Sequence, residues 1–124
     1  MNDNAAMRSV EEFLDAIEVH DYERARGLLA DEGFQYESPI SSFSSADDYI
    51  QHLSLMGGIV HEVRRLKAFV DGQDVCHILV FVTQISDKES MKVAHWTRVC
   101  AGRIQRIETL FDSHWYRRML ESGT

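Results

Sequence analysis

The sequence predicts a single α+β domain in which three helices pack on one side of a mostly antiparallel sheet. Three observations lead there. Apolar residues recur at helical spacing in the first half of the chain. From Ile59 onward the pattern changes to strands bounded by turn residues. A tight turn, Cys100-Ala101-Gly102-Arg103, then joins two alternating runs.

The first helix is carried by Met7, Val10, Phe13, Leu14 and Ile17, with Ser9 and Glu12 forming a capping box for a late start. His20-Asp21 interrupts it. Asp21 is the N-cap of a second, shorter helix containing Ala25, Leu28 and Leu29, and Gly33 suits the left-handed residue after it. Phe34 to Ser38 alternates as a short strand and stops at Pro39, which has no amide to donate. Ser44-Ser45 ahead of Asp47-Asp48 starts a third helix, with apolar positions Tyr49, Ile50, Leu53 and Met56 and an end at Gly57-Gly58.

Ile59 to Val70 is the first long strand, Asp71-Gly72 a turn, and Val75 to Ile85 the second strand. His114 to Leu120 reads as a short helix or as an extension of the last strand. The run Val75-Cys76-His77-Ile78-Leu79-Val80-Phe81-Val82 is apolar almost throughout, as in a strand covered on both faces. Three helices cover one face. The other calls for a second copy of the sheet, so a homodimer through the outer sheet face is expected.

In the last hairpin a two-residue loop with Gly102 in second place makes Val99 face Ile104 and His95 face Glu108. Directly opposed residues have Cβ atoms roughly 5 Å apart. Alternation adds Thr97, Arg106, Leu110 and Asp112 to that face. An imidazole opposite a carboxylate is the group with acid–base character, and Glu108 would orient the ring and favour its protonated form. The opposite face, with Trp96, Ile107 and Phe111, is at least as apolar, so His95 and Glu108 equally fit a solvent-facing cross-strand pair. A bulge at the turn changes the pairing altogether.

Composition removes several classes of function. The chain has 124 residues, 44% hydrophobic, with one proline and seven glycines, enough for one core and no linker. A formal charge of −7 opposes a nucleic-acid partner, and Arg64-Arg65-Lys67 and Arg117-Arg118 are short clusters without interleaved aromatics. Met1-Asn2-Asp3-Asn4 has neither a basic nor an apolar leader character, and no apolar run approaches the ~18 residues of a membrane span. Cys76 and Cys100 form no C-x-x-C pattern and are expected as buried free thiols in a reducing cytoplasm. His52, His61 and His77 have no sequence-local ligand partner, so no metal site is expected, and no phosphate loop or nucleophile elbow is present.

The order helix, short helix, strand ending in Glu37-Ser38-Pro39, helix, long meander resembles the NTF2-like superfamily, in particular its SnoaL-like and ketosteroid-isomerase-like branch. The local matches are Asp21-Tyr22, Leu29-Ala30-Asp31-Glu32, and Gly102-Arg103-Ile104 leading to Phe111-Asp112. The resemblance implies a strongly curved sheet wrapped around three helices, a cone with an apolar pocket lined by Phe13, Tyr36, Ser38, Tyr49, Leu53, Thr97 and Leu110, and usually a dimer. Aromatics at such spacings also serve as plain core, and Ser38 before Pro39 is a natural turn residue.

That fold hosts cyclases, isomerases, dehydratases, epoxide hydrolases and non-catalytic binding domains. The ketosteroid isomerases' three catalytic positions fall at Phe13, Ser38 and near His95, so their activity is not expected. The tyrosine and asparagine that limonene-epoxide hydrolases carry before the proline are replaced by Gln35 and Glu37. The SnoaL-type aspartate base falls on Asp112, which equally suits a helix N-cap. The implied function is cofactor-independent proton transfer on a small apolar or polyketide-like carbonyl compound. Asp112 would be the base, His95 the acid or oxyanion partner and Glu108 the orienter. A non-catalytic ligand-binding or dimerisation domain, or a dehydratase of the same fold using His95, is the alternative.

Overall fold

A computed structural model of the protein describes residues 4–56, 60–83 and 90–112. Among these residues the chain forms helices α1 (Ala5–Glu18), α2 (Tyr22–Gly27) and α3 (Ala46–Met56). The strands are β1 (Gln35–Glu37), β2 (Ser42–Phe43), β3 (Val60–Asp71), β4 (Asp74–Thr83), β5 (Ser90–Cys100) and β6 (Arg103–Leu110). They make one open, curved sheet in the order β2-β1-β6-β5-β4-β3. Every pairing is antiparallel except β1 with β6.

The helix signals act where the sequence puts them, with two corrections. Helix α1 starts at Ala5, and the Arg8 amide donates to the Asn4 carbonyl at 3.1 Å, so Ser9 lies inside the helix and the expected capping box is not used. Its Val10, Phe13 and Leu14 form the fully buried stripe of an amphipathic helix. Asp21 caps α2 by accepting from the Arg24 amide at 3.2 Å. That helix stops at Gly27 because the next residues join the sheet instead. The Ile104 amide donates to Leu28 at 2.8 Å and the Ala30 amide to Ile104 at 2.9 Å, so Leu28 and Leu29 are not helical. Ser45 accepts from the Asp48 amide at 3.3 Å at the start of α3.

Strand β2 was not legible in the sequence. Ser38 builds the turn that leads into it, its Oγ accepting from the Ile40 and Ser41 amides at 3.2 and 3.1 Å. Phe43 then pairs with Tyr36.

The helices cover one sheet face. Beneath them lie Val63, Val75, Leu79, Val93, Val99, Ile104 and Ile107, all buried. On the outer face of β4, Cys76, Ile78, Val80 and Val82 are only half-buried in the single chain. Both cysteines are free and half-buried, not fully buried as the sequence suggested. The open edge at β3 carries two register shifts. The end of α1 occupies part of it: Glu18 accepts from the Val63 amide at 3.0 Å, and His20 Nε2 donates to the Val60 carbonyl at 3.1 Å. Gly57-Gly58, Ile85 and the segment His114 to Leu120 lie outside the described residues.

Candidate functional site

The β5–β6 turn forms as its residues demand. Ala101 and Gly102 both adopt positive φ, 53° and 79°, as a type I′ turn requires, and Cys100 pairs with Arg103 and Val99 with Ile104. One residue later the register shifts. Arg98 faces Arg106, leaving Gln105 as the extra residue of a β-bulge. Every later residue of β6 therefore changes face. His95 faces Thr109, and Glu108 faces Trp96.

The predicted His95–Glu108 pair is thus a correction: the two residues point to opposite sides of the sheet. His95 and Thr97 lie under the helices, joined by Ile107 and Thr109. Arg106, Glu108 and Leu110 lie outside. Glu108 accepts from Arg106 at 2.7 Å, and Leu110 is 57% exposed and lines no interior pocket. Asp112 sits two residues past the end of β6 and is exposed. It is three residues beyond Thr109, about 10 Å further along the strand direction from His95.

The bulge assembles a different polar group. His77, His95 and Thr109 are successive partners across β4, β5 and β6. Thr109 Oγ1 lies 3.1 Å from the Tyr36 hydroxyl of β1. At the other end, His77 Nε2 donates to Glu11 Oε2 of α1 at 3.4 Å. A polar row thereby crosses four strands beneath α1. Its walls are apolar: the Phe13 ring stacks on His95 at 6.5 Å between centroids, and Tyr49 stacks on Tyr36 at 4.2 Å.

The row is almost uncharged. His95 is 2% exposed and His77 1%. Burial, with the facing His77 adding to it, pushes the His95 imidazole down to about 3, so it is neutral at pH 7. The expectation that His95 is held protonated is overturned, because the carboxylate meant to hold it is on the other face. Burial lowers His77 as well, with Glu11 opposing that shift. The Tyr49 phenol is raised well above its usual range by burial and by Tyr36. Nδ1 of each histidine is buried without a hydrogen-bond partner among the described residues. Unpaired buried nitrogens are costly and so are informative about where polar chemistry belongs.

Among the predicted pocket residues, Phe13, Tyr36, Tyr49 and Thr97 are buried in this core and Leu53 packs against it half-buried. The Thr97 hydroxyl is committed to the Val75 carbonyl at 3.1 Å. Ser38 belongs to its turn. Glu11, His77 and Thr109 were missed. For His77 the alternation Val75, His77, Leu79 was a usable signal, but nothing in the sequence fixes the β4–β5 register. Among the described residues no three His, Cys, Asp or Glu side chains converge as metal ligands.

No family model matches the sequence, and no curated protein is similar to it. Solved structures match it over nearly its whole length. An NTF2-like protein of unknown function from Cytophaga hutchinsonii superposes with a TM-score of 0.77 at 18% identity, covering 96% of this chain and 97% of that one. The chain has the NTF2-like fold. An LEH-like epoxide hydrolase from M. tuberculosis matches this NTF2-like chain at TM-score 0.79 and 26% identity, covering 94% and 90%. A protein assigned as a polyketide cyclase from Sinorhizobium meliloti matches at 0.73 and 14%, covering 82% and 93%. No described helix of the NTF2-like chain is long and apolar enough to cross a membrane.

Proposed function

We propose that this protein is a cofactor-independent enzyme of the SnoaL-like kind, moving a proton on a small apolar carbonyl compound held between the helices and the sheet. The observation that carries this reading is the neutral, buried His95 in a polar row with apolar walls, with the Tyr36–Thr109 hydroxyl pair beside it. A neutral imidazole can donate to a developing enolate oxygen or accept a proton without first losing one. In this reading His95 partners the substrate oxygen, and Asp112, at the exposed end of β6, takes the carbon-bound proton. Glu108 has no part in it. Phe13, Tyr36, Tyr49 and Leu53 supply apolar contact surface.

The test is deuterium exchange at the carbon next to the carbonyl in a panel of small apolar ketones. His95→Ala and Asp112→Asn should each slow exchange by about 100-fold or more, the usual span for a lost acid–base group. Rates identical to the parent in both variants overturn the assignment.

A second reading, a non-catalytic binding domain, is favoured by one fact: the charge that acts on the His95 imidazole comes from the facing His77 and not from a carboxylate. Ligand retained in native mass spectrometry without exchange or turnover supports it.

We further propose that two copies pair through the outer sheet face. Trp96 and Phe69 are 41% and 55% exposed there, beside half-buried Ile78, Val80, Val82 and Ala94. The Arg98–Asp74 fork, at 3.0 and 3.2 Å, balances charge around them. Sedimentation should give a dimer for the parent and a monomer for Trp96→Asp; a monomeric parent refutes the pairing.

A further inference from the structure

His77 and His95 differ in one respect that decides how they share a proton. They face each other across the β4–β5 ladder, where opposed side chains have Cβ atoms roughly 5 Å apart. Both rings are buried. Among the described residues His77 is the ring of the two with a carboxylate partner, and that carboxylate, Glu11, keeps 43% of its side chain in solvent. It therefore stays hydrated while its other side meets a buried ring.

The remaining neighbours do not compete for this role. From α1, Asp15 is spent on Arg65 of β3, and Arg65 in turn lies on the His77 side, where its charge disfavours a proton. Ala68 of β3 is the residue opposite His77. From β6, Thr109 faces His95, while Arg106 and Glu108 turn to the outer face. The Tyr36 hydroxyl is engaged by Thr109, and burial raises the Tyr49 phenol well above its usual range.

We propose that Glu11 and His77 are positioning residues for His95: the half-exposed carboxylate draws the first proton taken up by the facing imidazoles onto His77, and the charge held there keeps His95 neutral. The inference rests on the reading of His95 as the working imidazole and names what sets its protonation state. Two like charges at this separation in a core cannot both form cheaply. Whichever ring has a counter-charge takes the proton first, and here that ring is His77.

The experiment is nitrogen-15 NMR of the imidazoles against pH in the parent, Glu11→Gln, Glu11→Asp and His77→Gln proteins. In the parent, His77 should take its proton before His95. Glu11→Gln should move the His77 midpoint to lower pH, and Glu11→Asp should restore most of it. His77→Gln should move the His95 midpoint to higher pH and carry the acid limb of the exchange profile the same way.

An unmoved His77 midpoint in Glu11→Gln, or a His95 that protonates first in the parent, overturns the proposal. So does a His95 in His77→Gln that stays neutral down to the pH of unfolding. Glu11→Gln changes a surface group and stands as the test should the His77 variant fail to fold. The expected titrations with no exchange activity in any protein would instead remove the catalytic reading and leave the proton order intact.

Discussion

His77 and His95 face one another across two adjacent strands, and neither Nδ1 finds a hydrogen-bond partner among the described residues. This pairing makes the protein's stability sensitive to acid. His95 has its folded value depressed to about 3, below the 6.5 of an exposed imidazole, so the folded state disfavours the charged ring. The associated stability is fully present above about pH 6.5 and is lost as pH falls from there toward 3. His77, also lowered, adds in the same direction. Urea midpoints should fall between pH 7 and 4, with His95 responsible for on the order of a few kcal/mol. His95→Leu should flatten that slope, and an identical slope in the variant contradicts the prediction.

The Tyr36–Thr109 contact is a buried hydroxyl pair at 3.1 Å. Tyr36→Phe leaves the Thr109 hydroxyl without that partner and should cost about 1–3 kcal/mol. Thr109→Val in the same background should recover part of the loss, since replacing both partners removes the unsatisfied group. A double-mutant cycle by denaturant unfolding measures the coupling, and strict additivity would count against it.

Gln105 is the bulged residue, so its presence, not its side chain, sets which face Ile107 and Thr109 occupy. Gln105→Ala should change stability by less than about 1 kcal/mol, as a half-buried polar position does. Deleting residue 105 should turn Arg106 and Glu108 inward and abolish cooperative unfolding, because two charges would enter the core unpaired. Circular dichroism melts of both variants decide it; a deletion variant with a normal melt argues for a register that can slide.

Ala101 holds a left-handed φ of 53° without being glycine. Asn tolerates that conformation better and is favoured there beside Gly102 in a type I′ turn. Ala101→Asn should stabilise the protein by about 0.5–1 kcal/mol in chemical denaturation, and a loss of stability would show that the turn is of another kind.

The helices, the long strands and the β5–β6 turn were legible because each rests on local chemistry: Asp21 as a cap, Ser45 at the start of α3, Gly102 in a tight loop. The site was not, because one bulge separates it from the regular hairpin. A signal was present in the spacing. Ile104 and Ile107 are both fully buried, yet they stand three residues apart, an odd interval that strict alternation cannot place on one face. Reading that interval as a bulge would have turned Glu108 outward and put Thr109 opposite His95. The Glu11–His77 contact joins residues 66 positions apart and had no local counterpart to find.

The edge at β3 has a consequence for how molecules of this protein meet. With the Val60 carbonyl and the Val63 amide already engaged by His20 and Glu18, and the ladder dislocated in two places, the margin offers no clean template for an incoming chain. Addition of a further strand is therefore hindered at this end of β3, where two of the edge's backbone groups are already engaged.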